Sequence, residues 1–215
     1  EAVGRDAEYL AWHTMDHRPE QYRISGLRHS LRVVSTPECR AARAASVAEY
    51  DDVDHVVAYM FTGSESIPAF HQLYLALVDN GRFEPKLPPV GFVVGECQGR
   101  VAATLAVIGA DVVPWRPMKG LYLIIEEGSV PAEDLIDVPG VAGIWWFDGV
   151  DSPAPFQGTA KGRQITMCYL DDDPLVSAAA LAERLAKRWK GAAVKGLLAA
   201  PFHTVVPFEW SRYLP

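Results

Sequence analysis

The stretch Trp12-His13-Thr14-Met15-Asp16-His17-Arg18-Pro19-Glu20 sets two imidazoles four residues apart, with a carboxylate next to the second. On a helix this spacing puts His13 and His17 on one face, where they can share a cavity. An imidazole that titrates near neutrality can shuttle a proton, and Asp16 is placed to hold one ring in a single tautomer. That chemistry suits isomerisation, aldol cyclisation or decarboxylation of a phenolic or β-keto molecule. The alternative role for His17 is structural, a partly cationic ring closing a helix C-terminus against the dipole. HTMDH also looks like the zinc-protease pattern HExxH, but Thr14 stands where the general-base Glu is required, which argues against it.

Other groups could join or compete with this pair. His55 opens a β-branched run, His71 sits beside Phe70, and His203 lies in an apolar segment near the C-terminus. His55 and His203 are candidate substrate-binding positions; no spacing among the histidines demands a metal, and none is expected. Gly95-Glu96-Cys97-Gln98-Gly99 follows an apolar run and fits a cysteine nucleophile elbow, with Asp171 and His203 later in the chain order of a dienelactone-hydrolase type of triad. A hairpin is the competing reading. There is no glycine-rich phosphate loop or dinucleotide fingerprint, so no organic cofactor is expected.

Composition narrows the partner. The 215 residues are 49% hydrophobic and 22% charged with a net charge of −7, and no Lys/Arg run interleaves with aromatics. A small apolar or aromatic molecule is expected rather than nucleic acid. Three scattered cysteines, Cys39, Cys97 and Cys168, argue against a disulfide framework and fit a cytoplasmic setting, and no apolar run is long enough to span a membrane.

The elements that must position these residues follow from periodicity. Residues 5–17 read as a helix that Pro19 ends or restarts, and Ser25-Gly26 as a breaker. Leu27–Ser35 reads as a strand displaying Arg28 and Arg32 on one face, and both are candidate anchors for a carboxylate or enolate. Residues 36–52 read as loop or short helix, His55–Phe61 as a strand, Ser64–Asp79 as a helix closed by Asn80-Gly81, a Pro-rich segment spans 85–89, and Val101–Val113 reads as a strand. In the second half, strands are expected at Gly120–Glu126, Val141–Phe147, Arg163–Leu170 and Val194–Val206, with a short helix at Val130–Asp137 and a longer one from Pro174 to about Lys190. Residues 103–115 match 196–208 at a constant offset, pairing Leu105 with Leu198 and Val112-Val113-Pro114 with Val205-Val206-Pro207. The expected fold class is therefore α+β: two tandem ferredoxin-like, split-βαβ repeats over 1–117 and 118–215, covering each other as a fused α/β-barrel. Such a chain can be a complete barrel alone or pair again as a homodimer.

The stretch from Glu8 through Trp12, His13, His17, Arg18, Pro19 and Glu20 to Ser25-Gly26-Leu27 and Arg32 resembles the signature of the EthD-like and related dimeric α/β-barrel proteins. The resemblance covers about thirty residues, with Ser25 in place of the usual Pro and no counterpart in the second half. It implies that His17, Trp12 and Arg32 line a cavity between helix and sheet. It does not fix an activity, since relatives include cyclases, isomerases, decarboxylases, cofactor-free oxygenases and haem-degrading enzymes. The expectation is a cofactor-independent lyase, isomerase or cyclase with His17 as acid/base, Asp16 or His13 its orienter, Arg32 or Arg28 the anchor and Trp12 a wall. A non-catalytic binder of hydrophobic ligands is the alternative, and the Cys97 hydrolase a third.

Overall fold

The computed structural model describes residues 4–82, 89–153, 156, 158–191 and 194–214; of the Pro-rich segment, 85–88 lie outside this set. A first helix, α1, runs over 6–21 and leads through Gly26 into strand β1, Leu27–Val34. Gly26 takes φ +90°, and a Cβ there would strike Ser66, so only glycine makes this turn. Then come α2 (Pro37–Ala41), β2 (Ala45–Ser46), β3 (His55–Phe61), α3 (Ile67–Asp79) and β4 (Val94–Ala102). The second half contributes β5 (Gly120–Glu127), β6 (Val141–Val150), β7 (Arg163–Leu170), α4 (Pro174–Gly191) and β8 (Lys195–Thr204).

All eight strands join one sheet in the order β3-β1-β8-β5-β7-β6-β4, with β2 pairing onto β8 and every pairing antiparallel. Within it, β8-β5-β7-β6 has the strand order of a split-βαβ sheet, with a 3-10 turn at Glu133–Asp137 where the first helix would stand. The first-half strands extend that sheet from both sides: β1 docks on β8, and β4 docks on β6.

The sheet curls. Trp115 packs its ring 5.4 Å from His29 on β1 and 5.9 Å from Trp145 on β6. Those strands are four positions apart in the sheet, a separation of roughly 19 Å if it were flat. The inner face buries Leu31, Val33, Leu121, Leu123, Trp145, Tyr169 and Phe202 in one apolar cluster. The outer face buries Tyr122, Ile124, Cys168 and Ala199 beneath Ala178, Leu181 and Leu185 of α4, whose first turn is fixed by the Asp173 carboxylate accepting from Leu175 N–H at 2.9 Å. The end strands β3 and β4 are linked by aromatic packing: Phe70 of α3 touches Tyr59 and Phe61 of β3, and also Phe156, which stacks at 4.7 Å on Phe92 just before β4.

Two expectations are corrected. Residues 103–113 are not strand: β4 ends at Ala102 and 3-10 turns follow at Thr104–Ala106 and Ala110–Trp115. The sequence match between 103–115 and 196–208 thus pairs a surface loop with a core strand, since Leu105 is 94% exposed and Leu198 is 1% exposed. The Cys97 motif is neither elbow nor hairpin. It lies inside β4, with a bulge at Gln98 that seats Gly99 against the Trp146 ring. The hydrolase triad is not assembled: Asp171 pairs with Arg116, and the charged neighbours of His203 on β8 are Asp173, Arg212 and Glu38.

Truncating the two matched leucines separates these environments. Leu198→Ala is expected to cost about 2–5 kcal/mol and Leu105→Ala less than about 0.5 kcal/mol in denaturant unfolding. Equal effects would contradict the assigned structure.

Candidate functional site

The histidine stretch lies in the middle of α1, and the helix does not stop there. Asp6–Trp12 is α-helical, His13–His17 forms a π turn in which Arg18 N–H bonds to His13 C=O, and Arg18–Gln21 resumes the α form. Pro19 supplies a cause: it has no N–H to give, and its ring crowds the carbonyl four residues earlier, which a widened turn relieves. Tyr9, His13, His17 and Gln21 then follow one another along the face turned to the sheet. Trp12 stacks on His17 with ring centroids 4.7 Å apart and planes at 19°.

The sheet side is set by strand register. The outer face of β1 and β3 presents Ser30 opposite Tyr59, Arg32 opposite Val57, and Val34 opposite His55. A bulge at Arg28 breaks the alternation, so Arg28 is exposed while Arg32 is buried at 4% exposure beneath α1. The two arginines expected together thus differ in burial, one exposed at the bulge and the other covered by the helix.

Between helix and sheet lies a polar layer. His13 Nε2 is 3.2 Å from the Tyr59 hydroxyl, Gln21 Nε2 donates to the same hydroxyl at 3.0 Å, and Gln21 Nε2 is 2.8 Å from His17 Nε2. Arg32 Nη2 donates to the Tyr9 hydroxyl at 2.9 Å, with its guanidinium 4.8 Å from the centre of the Tyr9 ring. His55 Nε2 meets the Asp6 carboxylate at 2.7 Å. Among the described residues no carboxylate pairs with Arg32, and its buried Nε has no hydrogen-bond partner; nor have Ser30 Oγ and His13 Nδ1.

These charges and their burial decide the protonation states. Burial first, and then the positive charge of Arg32, holds His13 well below the ordinary imidazole range and lowers His17 from 6.5 to about 4. His55 is lowered by the same two causes against the opposing pull of Asp6, and burial pushes the Tyr59 phenol up to about 12. Arg32 is therefore the one charge felt by all four groups. At neutral pH both helix histidines are uncharged, which corrects the expectation of a ring titrating near neutrality.

No family model matches this chain, and no curated protein matches it. Among solved structures, an anthrone oxidase-like protein superposes over 95% of this chain and 87% of its own, with a TM-score of 0.46 and 9% sequence identity.

Of the residues singled out in the sequence, His13, His17, Trp12, Arg32 and His55 converge on this layer. Asp16 does not orient His17: its carboxylate takes a 2.6 Å bond from Arg82, the residue after the Gly81 turn that closes α3, and Arg82 also reaches Glu20 at 3.1 Å. Trp12 Nε1 donates to the Arg82 carbonyl at 3.0 Å, so the cover over His17 is tied to the end of α3. His203 lies outside the layer, where its charged neighbours are Asp173, Arg212 and Glu38. Gln21, Tyr59 and Tyr9 were missed. Gln21 and Tyr9 sit four residues from a histidine, a signal visible in the sequence, whereas Tyr59 is brought in by strand register. Among the described residues no cluster of three His, Cys, Asp or Glu could hold a metal ion, and no helix is long and apolar enough to cross a membrane.

The lowered histidines give stability a sign in pH. His17 binds its proton more weakly folded, at about 4, than unfolded, at 6.5, so the unfolded chain takes up more protons between those values and stability falls as pH drops through that window, by on the order of 3 kcal/mol. Urea unfolding between pH 7 and 4.5 is expected to show this loss, with a shallower slope in His17→Gln. A slope unchanged by the substitution would contradict the buried neutral state.

Proposed function

We propose that this protein is an enzyme that moves a proton on a small aromatic, phenolic or polyketide-like molecule, as a lyase, isomerase or cyclase needing no organic cofactor. The observation that carries this reading is Arg32, a buried cation with no carboxylate among the described residues, set against two neutral imidazoles. A buried charge without a counter-ion costs several kcal/mol and is retained where a ligand supplies the opposite sign. The ligand's phenolate or enolate oxygen would complete that pair, and its developing charge would be stabilised most in the transition state.

A bound anion that neutralises Arg32 raises the basicity of the neutral imidazole from its lowered value toward the range that proton transfer at pH 7 needs. His17 is the residue assigned this role. Trp12, stacked on that ring, covers it and holds its plane. The alternative of a carrier for hydrophobic molecules asks for an apolar chamber that the histidines do not enter, and the layer beneath α1 is polar.

Deuterium uptake from D2O into a panel of phenols and aryl ketones such as α-tetralone, followed by NMR, tests the assignment. Wild-type rates above buffer are expected, with His17→Ala lowering them by about 100-fold or more while the thermal melt stays cooperative. Rates at the buffer level across the panel, or uptake unchanged in the variant, would remove it.

Arg32→Met should separate function from stability. Removing an unpaired buried charge is expected to raise Tm by about 2–8 °C while weakening binding of phenolates. A lower Tm with phenolate binding intact would show that Arg32 serves the fold alone.

A further inference from the structure

The polar layer contains a chain of contacts that runs from one histidine to the other: His13 Nε2, the Tyr59 hydroxyl, the Gln21 side-chain amide and His17 Nε2, at 3.2, 3.0 and 2.8 Å. Three of the four residues are nearly inaccessible, His13 and Gln21 at 1% and His17 at 6% exposure, so solvent does not substitute for these bonds. We infer that Gln21 is a positioning residue that, through Tyr59, locks the tautomers of His13 and His17 together.

The argument is one of donor counting. A neutral imidazole has one N–H and one lone pair, a phenol one O–H, and an amide offers hydrogens at nitrogen and lone pairs at oxygen. With the amide nitrogen facing the chain, Gln21 donates both hydrogens, one to His17 Nε2 and one to the Tyr59 oxygen; the Tyr59 O–H then donates to His13 Nε2. Both rings accept at Nε2, so both carry their proton on Nδ1. With the amide turned over, its oxygen accepts from His17 Nε2–H and from the Tyr59 O–H, and the Tyr59 oxygen accepts from His13 Nε2–H. Both rings then carry their proton on Nε2 and keep the lone pair on Nδ1. Opposite tautomers either set two acceptors against each other or make the Tyr59 oxygen accept from both neighbours while its own O–H loses its partner in the chain. The two histidines are therefore held in the same tautomer, with the Gln21 amide and the Tyr59 hydroxyl oriented to match. In one arrangement both rings carry an N–H at Nδ1; in the other both carry a lone pair there.

This inference rests on the proton-transfer reading for its purpose, yet its test needs no turnover. Histidine tautomers are read from long-range 1H–15N correlation spectra of 15N-labelled protein at pH 7. In the wild type His13 and His17 are expected in the same tautomer, each favoured by about tenfold or more. Gln21→Leu should release both, moving each toward a mixture. Tyr59→Phe should release His13 and leave His17 as it was, which keeps the test decisive if Gln21→Leu does not fold. Opposite tautomers in the wild type, or equal changes at both rings in Tyr59→Phe, would overturn the proposal. Absence of deuterium uptake in the wild type, with both rings in one tautomer and released as expected in the variants, would count against the role of His17 and leave the coupling standing.

Discussion

The buried guanidinium of Arg32 is the constraint from which the rest of the site follows. It rests against the ring and hydroxyl of Tyr9, with no carboxylate beside it among the described residues. Burial first, and then this charge, keeps His13 and His17 from taking up protons and pulls His55 down against Asp6. Neutral imidazoles are in turn what allow the hydrogen-bond chain through Gln21 and Tyr59, because a doubly protonated ring would donate at both nitrogens and break it. Burial and one uncompensated charge together thus keep two rings neutral and the network intact.

Helix and sheet each supply half of this arrangement. The π turn lines up His13 and His17 with Gln21 and lets Trp12 lie flat on His17, while on β1 Arg28 is exposed at a bulge and Arg32, in regular register beyond it, is buried beneath the helix. Both are one-residue irregularities in otherwise regular elements, and both occur where the polar layer is built. The Arg82 clamp on Asp16, Glu20 and Trp12 ties the outer side of α1 to α3.

Much of this was legible in the sequence because burial there imposes a pattern. The strands His55–Phe61 and Arg163–Leu170 carry β-branched and aromatic runs and form where expected, as does the long helix after Asp173. β4 was missed because it is an end strand with a polar, glycine-rich sequence and little burial, whereas the apolar run after it reads as a strand but is broken into 3-10 turns around Gly109 and Pro114. Helical spacing put His13 and His17 on one face; that Arg32 meets them was expected from the resemblance to the EthD-like signature alone. The roles of Tyr59 and Asp16 did not: the first depends on the pairing of Ser30 with Tyr59, and the second on Arg82, which arrives from 66 residues away.

The most direct measurement is an NMR pH titration of the His17 ring in the wild-type protein, alone and with a saturating phenolate. The account requires a midpoint near 4 in the free protein, set by burial and Arg32, and an upward shift when the phenolate neutralises that charge. A free-protein midpoint at the ordinary imidazole value, unmoved by the phenolate, would contradict it.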